Sequence, residues 1–235
     1  MAKKIYIDPG HSSVDPGAVG YEVERDLNEK VSKFMNEHLL ATYVCETRVD
    51  PVANNSLKAV ANAANTWGAD LLVSNHFNAG GGDGYEALVY SSKNKALGQI
   101  FDKHVKTIGQ NSRGVKLRPD LAVLRLSHMP AVLNEGAFVD TKKDIQDWNE
   151  DHELKKMGIA YAEAAAEFLQ LEKKAAAPAP APTPSPAPAP AKGMYRVFGA
   201  DGKQKGAYTV EANAFNELRK QLQAGGKATI TLSEK

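Results

Sequence analysis

The chain has 235 residues, with 29 basic and 28 acidic side chains and a formal net charge of +1. This balance argues against a nucleic-acid-binding protein, and we expect no nucleic-acid partner. The length allows one medium domain and a smaller one. The only cysteine, Cys45, cannot form an internal disulfide, so nothing in the sequence requires an oxidising compartment.

The first residues, Met-Ala-Lys-Lys, lead directly into a strand and a turn and contain no apolar segment of signal-peptide length. The apolar runs elsewhere are too short to span a bilayer. We therefore expect a protein without a signal peptide or membrane insertion, which begins in the cytoplasm.

Short apolar strands alternate with amphipathic helices from the N-terminus to about residue 171. This alternation predicts an α/β fold with a mostly parallel sheet covered by helices on both faces. Sites in such folds lie at the carboxyl ends of the strands. The predicted strands are 4–8, 42–46, 70–76, 85–90, 121–124 and 131–135. The predicted helices are 24–40, 54–67, 94–110 and 153–171.

Residues 175–192 alternate alanine and proline and predict a semi-rigid, polyproline-II-like linker. It separates a large domain, 1–174, from a small one, 193–235. The sequence of the small domain predicts an α+β unit of β-β-α-β order, with strands at 194–198, 206–210 and 228–232 and a helix at 211–223. Its helix is expected to turn Ala214, Phe215, Leu218 and Leu222 inward. Basic residues outnumber acidic ones here, which suits a polyanionic surface.

Three of the titratable residues that we single out lie at the ends of predicted strands. His11 follows the first strand, whereas His76 and Glu135 each end a later one, and Glu24 opens the first helix. Two histidines and one glutamate leave a zinc ion one open coordination position, and a further glutamate can move protons. The set is typical of a metallohydrolase. The other histidines, including His38 and His104, are interpreted as surface or half-buried residues.

Four ordered motifs carry a family resemblance. They are Ile-Tyr-Ile-Asp-Pro-Gly-His-x6-Ala-x-Gly, then Glu-Arg-Asp-x-Asn, Ser-Asn-His-x-Asn-Ala, and Pro-Ala-Val-Leu-Asn-Glu. The short segments Thr-Arg-x-Asp and Arg-Gly-Val-Lys agree with the same pattern. Residues 4–171 resemble the zinc-dependent N-acetylmuramoyl-L-alanine amidases of the amidase-3 type, found in bacterial autolysins and phage endolysins. The chain departs from the pattern at Ser12-Ser13, Asn75 and Asp140, none of which removes a ligand.

The resemblance implies one zinc ion per chain, held by His11, Glu24 and His76, with Glu135 as the catalytic general base and then acid. Glu22 is an alternative ligand; the Glu-x-Asp-x-Asn spacing favours Glu24. The implied substrate is peptidoglycan, cleaved between N-acetylmuramic acid and the L-alanine of the stem peptide. No other cofactor is implied.

We expect a monomeric phage endolysin, stored in the host cytoplasm and released to the cell wall by a holin, with a wall-binding C-terminal domain. A host autolysin freed by mother-cell lysis and a zinc stem-peptide carboxypeptidase remain alternatives. A catalytically inactive wall-binding protein is disfavoured because all four site residues are present.

Overall fold

A six-stranded sheet organises the first of two compact units, Met1–Ala175 and Ala176–Lys235, into which the chain divides. The computed structural model describes residues 2–50, 56–175, 194–198, 201–208, 211–223 and 229–233. The strand order is β2-β1-β3-β6-β4-β5. The strands are β1 Lys3–Pro9, β2 Cys45–Val49, β3 Leu71–Asn78, β4 Tyr85–Val89, β5 Ser112–Leu117 and β6 Ala131–Phe138.

The sheet is mostly parallel, as the sequence predicts. Strands β1, β2, β3 and β6 run in one direction, and the pairing of β4 with β6 is antiparallel. Strand β5 pairs with β4 in parallel at the edge of the sheet. The carboxyl ends of β1, β3 and β6 therefore meet at one edge, where the sequence places its candidate residues.

Helices cover both faces of the sheet because successive side chains of each strand point to opposite sides. Ile5 and Val73 pack in the core formed with α1, α3 and α6, whereas Tyr6 and Leu72 pack with α2 and α4. The helices are α1 Glu24–Thr42, α2 Leu57–Trp67, α3 Lys95–Thr107, α4 Ala122–Arg125, α5 Lys142–Ile145 and α6 Asp151–Leu169.

The predicted strand at 121–124 is wrong. Residues Ala122–Arg125 form the short helix α4, which buries Val123 and Leu124 against the sheet. A four-residue apolar run fits a strand and a buried helical turn equally well. The strand at this edge of the sheet is β5, whose sequence Ser-Arg-Gly-Val-Lys-Leu is mostly polar and contains no fully buried residue, and the sequence interpretation did not include it.

The other differences concern element boundaries. Helix α1 continues to Thr42, so β2 begins at Cys45 rather than at residue 42. Helix α2 begins at Leu57, and the predicted helical residues 54–55 lie outside the described residues. Of the described helices, none is both long and apolar enough to cross a bilayer.

The C-terminal unit contains the predicted β-β-α-β order. Its strands β7 Met194–Phe198, β8 Gln204–Tyr208 and β9 Thr229–Ser233 form an antiparallel sheet of order β8-β7-β9, and α7 spans Glu211–Gln223. Ala214 is buried, but Phe215 and Leu222 are exposed, contrary to the expectation that they face inward. A three-stranded sheet covers only a narrow stripe of the helix. The predicted linker lies almost entirely outside the described residues.

Helix α1 packs closely against α6 at Gly158. A Cβ atom added at Gly158 would lie 2.7 Å from the Phe34 Cβ and 2.8 Å from both the Met35 backbone nitrogen and the Val31 carbonyl oxygen. These neighbours belong to α1 and include backbone atoms, which cannot move aside without shifting the helix. The glycine therefore sets the distance between the two helices.

We expect Gly158→Ala to destabilise the protein by about 1–3 kcal/mol, the usual cost of overpacking a core. Alanine normally favours a helix over glycine, so the sign of the change reports the contact rather than helix propensity. Gly98→Ala in α3 is the matched control, because the three atoms nearest its new Cβ belong to the side chains of Val115 and Val89 rather than to backbone. Urea unfolding measures both; a stabilised Gly158→Ala variant would contradict the close packing.

Candidate active site

His11 lies immediately after β1, in a strained backbone conformation. Its φ angle is 71°, in the left-handed region that residues other than glycine rarely adopt. The preceding turn is fixed by a hydrogen bond from the Gly10 nitrogen to the Asn75 carbonyl oxygen at 2.9 Å. Asn28 of α1 donates to the Gly10 carbonyl oxygen at 3.0 Å. The strain is thus supported by hydrogen bonds to two neighbouring elements.

Glu24 is the first residue of α1, and its carboxylate is buried between the two histidines. Its Oε1 atom lies 2.8 Å from His76 Nδ1 and 3.0 Å from His11 Nε2. Its Oε2 atom accepts a hydrogen bond from the Ala18 nitrogen at 2.8 Å. The start of a helix also favours a negative charge. The chain thus offsets the desolvation of this carboxylate with several polar partners.

Two glycines allow the backbone to approach this carboxylate and the imidazole rings. A Cβ atom at Gly10 would lie 2.2 Å from His76 Cε1, and one at Gly17 would lie 2.5 Å from His11 Cδ2. Gly17 also has a φ of +68°. Any larger residue at either position would displace a histidine ring, so both glycines are required by the geometry of the site.

One ligand atom from each of His11, Glu24 and His76 lies within 4.8 Å of the other two. Two imidazole nitrogens and a carboxylate oxygen form the type of ligand set that zinc accepts with one position left open. The chemistry and the spacing of these three side chains therefore fit a metal ion. Glu22, the alternative to Glu24, lies elsewhere and accepts a hydrogen bond from Asn149 at 3.2 Å.

The charges within this trio are strongly coupled. The hydrogen bond with Glu24 raises the pKa of His11 to about 9. Burial opposes ionisation of Glu24, but the hydrogen bonds from His11 and His76 outweigh it and hold the pKa of Glu24 well below its usual range. Burial likewise opposes protonation of His76, yet contact with Glu24 raises its pKa. Without a metal, the carboxylate favours the protonated form of both histidines.

Glu135 lies beside the trio because it pairs with His76 in the register of β3 and β6. Side chains at paired positions project from the same face of the sheet. The Glu135 Oε2 atom is buried and has no hydrogen-bond partner among the described residues. Burial is the main cause that raises the pKa of Glu135, to about 7. A carboxyl with this pKa can both accept and donate a proton near neutral pH.

Asp15 is a site residue that the sequence interpretation missed. Its Oδ2 atom lies 3.1 Å from His11 Nδ1, the ring nitrogen that faces away from Glu24. Asp8, which lies closer to His11 in the sequence, does not take this position, because it is buried and accepts a hydrogen bond from Ser74 Oγ at 2.7 Å. One signal was present: Asp-Pro-Gly occurs at 8–10 and again at 15–17.

Two other histidines lie outside the site. His38 Nε2 is 2.7 Å from a carboxylate oxygen of Glu163, and His104 Nε2 is 2.7 Å from one of Glu167. Both carboxylates belong to α6, on the far face of the sheet from His76. These pairs connect helices and agree with the structural interpretation made from the sequence.

Comparison with known proteins assigns the chain to a family. The N-acetylmuramoyl-L-alanine amidase family model, Amidase_3, matches residues 5–167. The chain therefore belongs to this family, whose members are amidases acting on peptidoglycan. The family assignment and the hydrolase class expected from the sequence are confirmed.

Several relatives are similar over most of their length. The chain is 30% identical to the sporulation-specific N-acetylmuramoyl-L-alanine amidase of Bacillus subtilis, over 97% of this chain and 84% of that protein. It is 33% identical to an endolysin of Bacillus phage SPP1, over 74% of this chain and 69% of that protein. An N-acetylmuramoyl-L-alanine amidase crystal structure from Clostridium difficile 630 has a TM-score of 0.68 at 27% identity, covering 72% and 97% of the two chains.

In the metal-free protein, we expect the free energy of unfolding to fall as the pH rises from about 6.5 to about 9. The folded pKa of His11, about 9, exceeds its ordinary value of 6.5. Protonated His11 therefore stabilises the fold fully below pH 6.5, and this contribution disappears as the pH passes about 9. The raised pKa of His76 acts in the same direction.

Urea unfolding midpoints of chelator-treated protein across this pH range test the expectation. His11→Gln should weaken the dependence, because it removes one of the two histidines with a raised pKa. His128→Gln is the matched control, since His128 is exposed and lies outside the trio. An unchanged pH dependence in His11→Gln would rule out this coupling.

Proposed function

We propose that this amidase uses one zinc ion held by His11, Glu24 and His76, with Glu135 as its proton-transfer residue. The register of β3 with β6 carries this proposal, because it brings Glu135 next to the only group of three potential ligands found among the described residues. The substrate is the amide bond between N-acetylmuramic acid and the L-alanine of the stem peptide. The strained turn at His11 and the close approach of two glycines support this proposal, because both are structurally costly unless they position functional side chains.

A zinc ion bound by this trio would supply Lewis-acid activation of water and polarisation of the scissile carbonyl. Glu135 accepts one proton of the attacking water as the new C–O bond forms. It then donates that proton to the nitrogen of L-alanine as the C–N bond breaks. The products are a lactyl carboxylate on the saccharide and a free amine on the stem. Asp15 holds the His11 ring through Nδ1, which keeps the Nε2 atom of His11 directed toward Glu24.

Replacement of Glu135 tests the assigned role. We expect Glu135→Gln to lower kcat by at least about 100-fold, the usual contribution of a positioned acid–base group, while the zinc content stays the same. Glu22→Gln is the matched control and should retain both activity and zinc, because Glu22 lies outside the trio.

Mass spectrometry of fragments released from purified peptidoglycan gives the readout, with and without a chelator. Intact stems with a free L-alanine amine are expected, lost on chelation and restored by zinc. Full activity in Glu135→Gln would refute the assigned base. Cleavage within the stem would instead support the carboxypeptidase alternative.

We infer that the biological role of this protein is that of an endolysin, which a holin releases to the cell wall and which acts as a monomer. The similarity to the endolysin of Bacillus phage SPP1 supports this role. A host autolysin is the second candidate, because the match to the sporulation-specific amidase of Bacillus subtilis extends over nearly the whole chain. Both roles use the same chemistry and differ in when the protein is made.

We further infer that residues 1–174 are the catalytic domain and that 193–235 bind the cell wall through the linker 175–192. The division of the chain into two compact units near residue 175 supports this arrangement. A tethered binding unit raises the local concentration of the catalytic unit at the polymer.

Truncation after Ala175 tests the wall-binding role. In a Glu135→Gln background, which prevents digestion, we expect the truncated chain to bind purified cell walls about 100-fold more weakly than the full chain. With Glu135 intact, the same truncation should leave the hydrolysis of small soluble muramoyl peptides unchanged. Equal sedimentation of the two chains with cell walls would exclude the wall-binding role.

A further inference from the structure

A row of charged side chains crosses the sheet from the candidate metal ligands to its edge. His76 on β3 pairs in register with Glu135 on β6, which pairs in turn with Glu86 on β4. Glu86 is buried, with 6% of its surface exposed. The proposed mechanism uses the first two residues of this row but not Glu86 or the cations beside it.

Glu86 binds two cations of the edge strand β5. Its Oε1 atom accepts hydrogen bonds from Arg113 Nε and Lys116 Nζ, both at 2.5 Å. Although burial disfavours its charge, these two cations lower the pKa of Glu86 below its ordinary value. The cluster is therefore ionised near neutral pH and combines two positive charges with one negative charge.

A β-bulge directs both cations to this carboxylate. The register shifts between Tyr85 and Ala87, where β5 contains one more residue than β4, and Gly114 has a φ of 79°. Without the extra residue, Arg113 and Lys116 would project from opposite faces, because they are three positions apart in a strand.

The bound cations keep part of their hydrogen-bonding capacity. The guanidinium of Arg113 lies 5.3 Å from the centre of the Phe138 ring, and its Nε donates a hydrogen bond to Glu86. These two contacts fix the position of the guanidinium. No described residue accepts a hydrogen bond from its two terminal nitrogens. Both side chains remain 42% exposed.

We propose that Arg113 and Lys116, held by Glu86, bind a carboxylate of the stem peptide. This inference rests on the proposed function. Of the two sides of the scissile bond, the stem carries carboxylates, whereas the sugar ring and its acetamido group are neutral. The surplus positive charge of the cluster therefore complements the stem side.

The distance from β6 to β5 indicates which residue of the stem carries the bound carboxylate. Strand β5 lies two strand spacings from β6, or about 10 Å, and long cationic side chains shorten that gap. An extended peptide advances about 3.5 Å per residue. A carboxylate on the residue after L-alanine, which is glutamate in peptidoglycan stems, falls within this reach. Amidation of that carboxylate would remove the charge and one acceptor oxygen.

The experiment compares two synthetic stem tripeptides that differ only at this position, with a free carboxylate or a carboxamide. Calorimetry with the full, zinc-loaded chain should show about tenfold tighter binding of the free acid, as expected for partly exposed charge-assisted hydrogen bonds. In Arg113→Gln and Lys116→Gln the ratio of the two affinities should fall toward one. Lys103→Gln, at an exposed ion pair with Glu167, is the matched control and should keep the ratio.

An ion cluster that only fastens β5 to β4 predicts a different result. Both variants would then lower the melting temperature and weaken the two peptides equally, leaving the ratio unchanged. That result, or equal affinities in the unaltered chain, would overturn the proposal. Hydrolysis of the matching muramoyl tripeptides is measured in parallel. A preserved preference in binding without any amide cleavage would refute the proposed function and leave the subsite standing.

Discussion

The register of β3, β6 and β4 is the constraint on which the site depends. It places His76, Glu135 and Glu86 side by side on one face of the sheet, while Asn75 and Asn134 face the opposite core. Because side chains alternate along a strand, a slip of one residue would move each member of this row to the other face. The buried hydrogen bond from Asn134 to Asn75, at 3.1 Å, favours the observed register.

Glu24 reaches this row only because α1 is firmly packed. The helix packs against both the sheet and α6, and the contact at Gly158 fixes its distance from α6. A buried carboxylate between two imidazoles is costly to desolvate, so its position depends on many polar partners rather than on one. The helix start, the Ala18 nitrogen and the two histidines provide these partners. Fold stability and site geometry are thus linked through a single helix.

Much of this arrangement could be predicted from the sequence, since it depends on patterns local to each strand end. His11, His76 and Glu135 each follow or end an apolar strand, which was enough to predict a shared edge. Strand β5 could not be identified, because this polar edge strand lacks the mostly apolar, buried run that marks its neighbours β4 and β6. The choice between Glu22 and Glu24 needed a family spacing, and the role of Asp15 depends on a turn that brings it back to His11. These contacts arise from tertiary structure.

Glu24 and Glu135, the two glutamates nearest the histidines, have different protonation behaviour because their surroundings differ. Contact with two imidazoles keeps Glu24 ionised, whereas burial and the negative charges of Glu24 and Glu86 favour the protonated form of Glu135. Pairs of carboxyl groups whose environments separate their pKa values are typical of acid–base sites. The cations on β5 keep Glu86 charged, so its effect on Glu135 persists near neutral pH. The edge strand thereby contributes to the electrostatics of a residue two strands away.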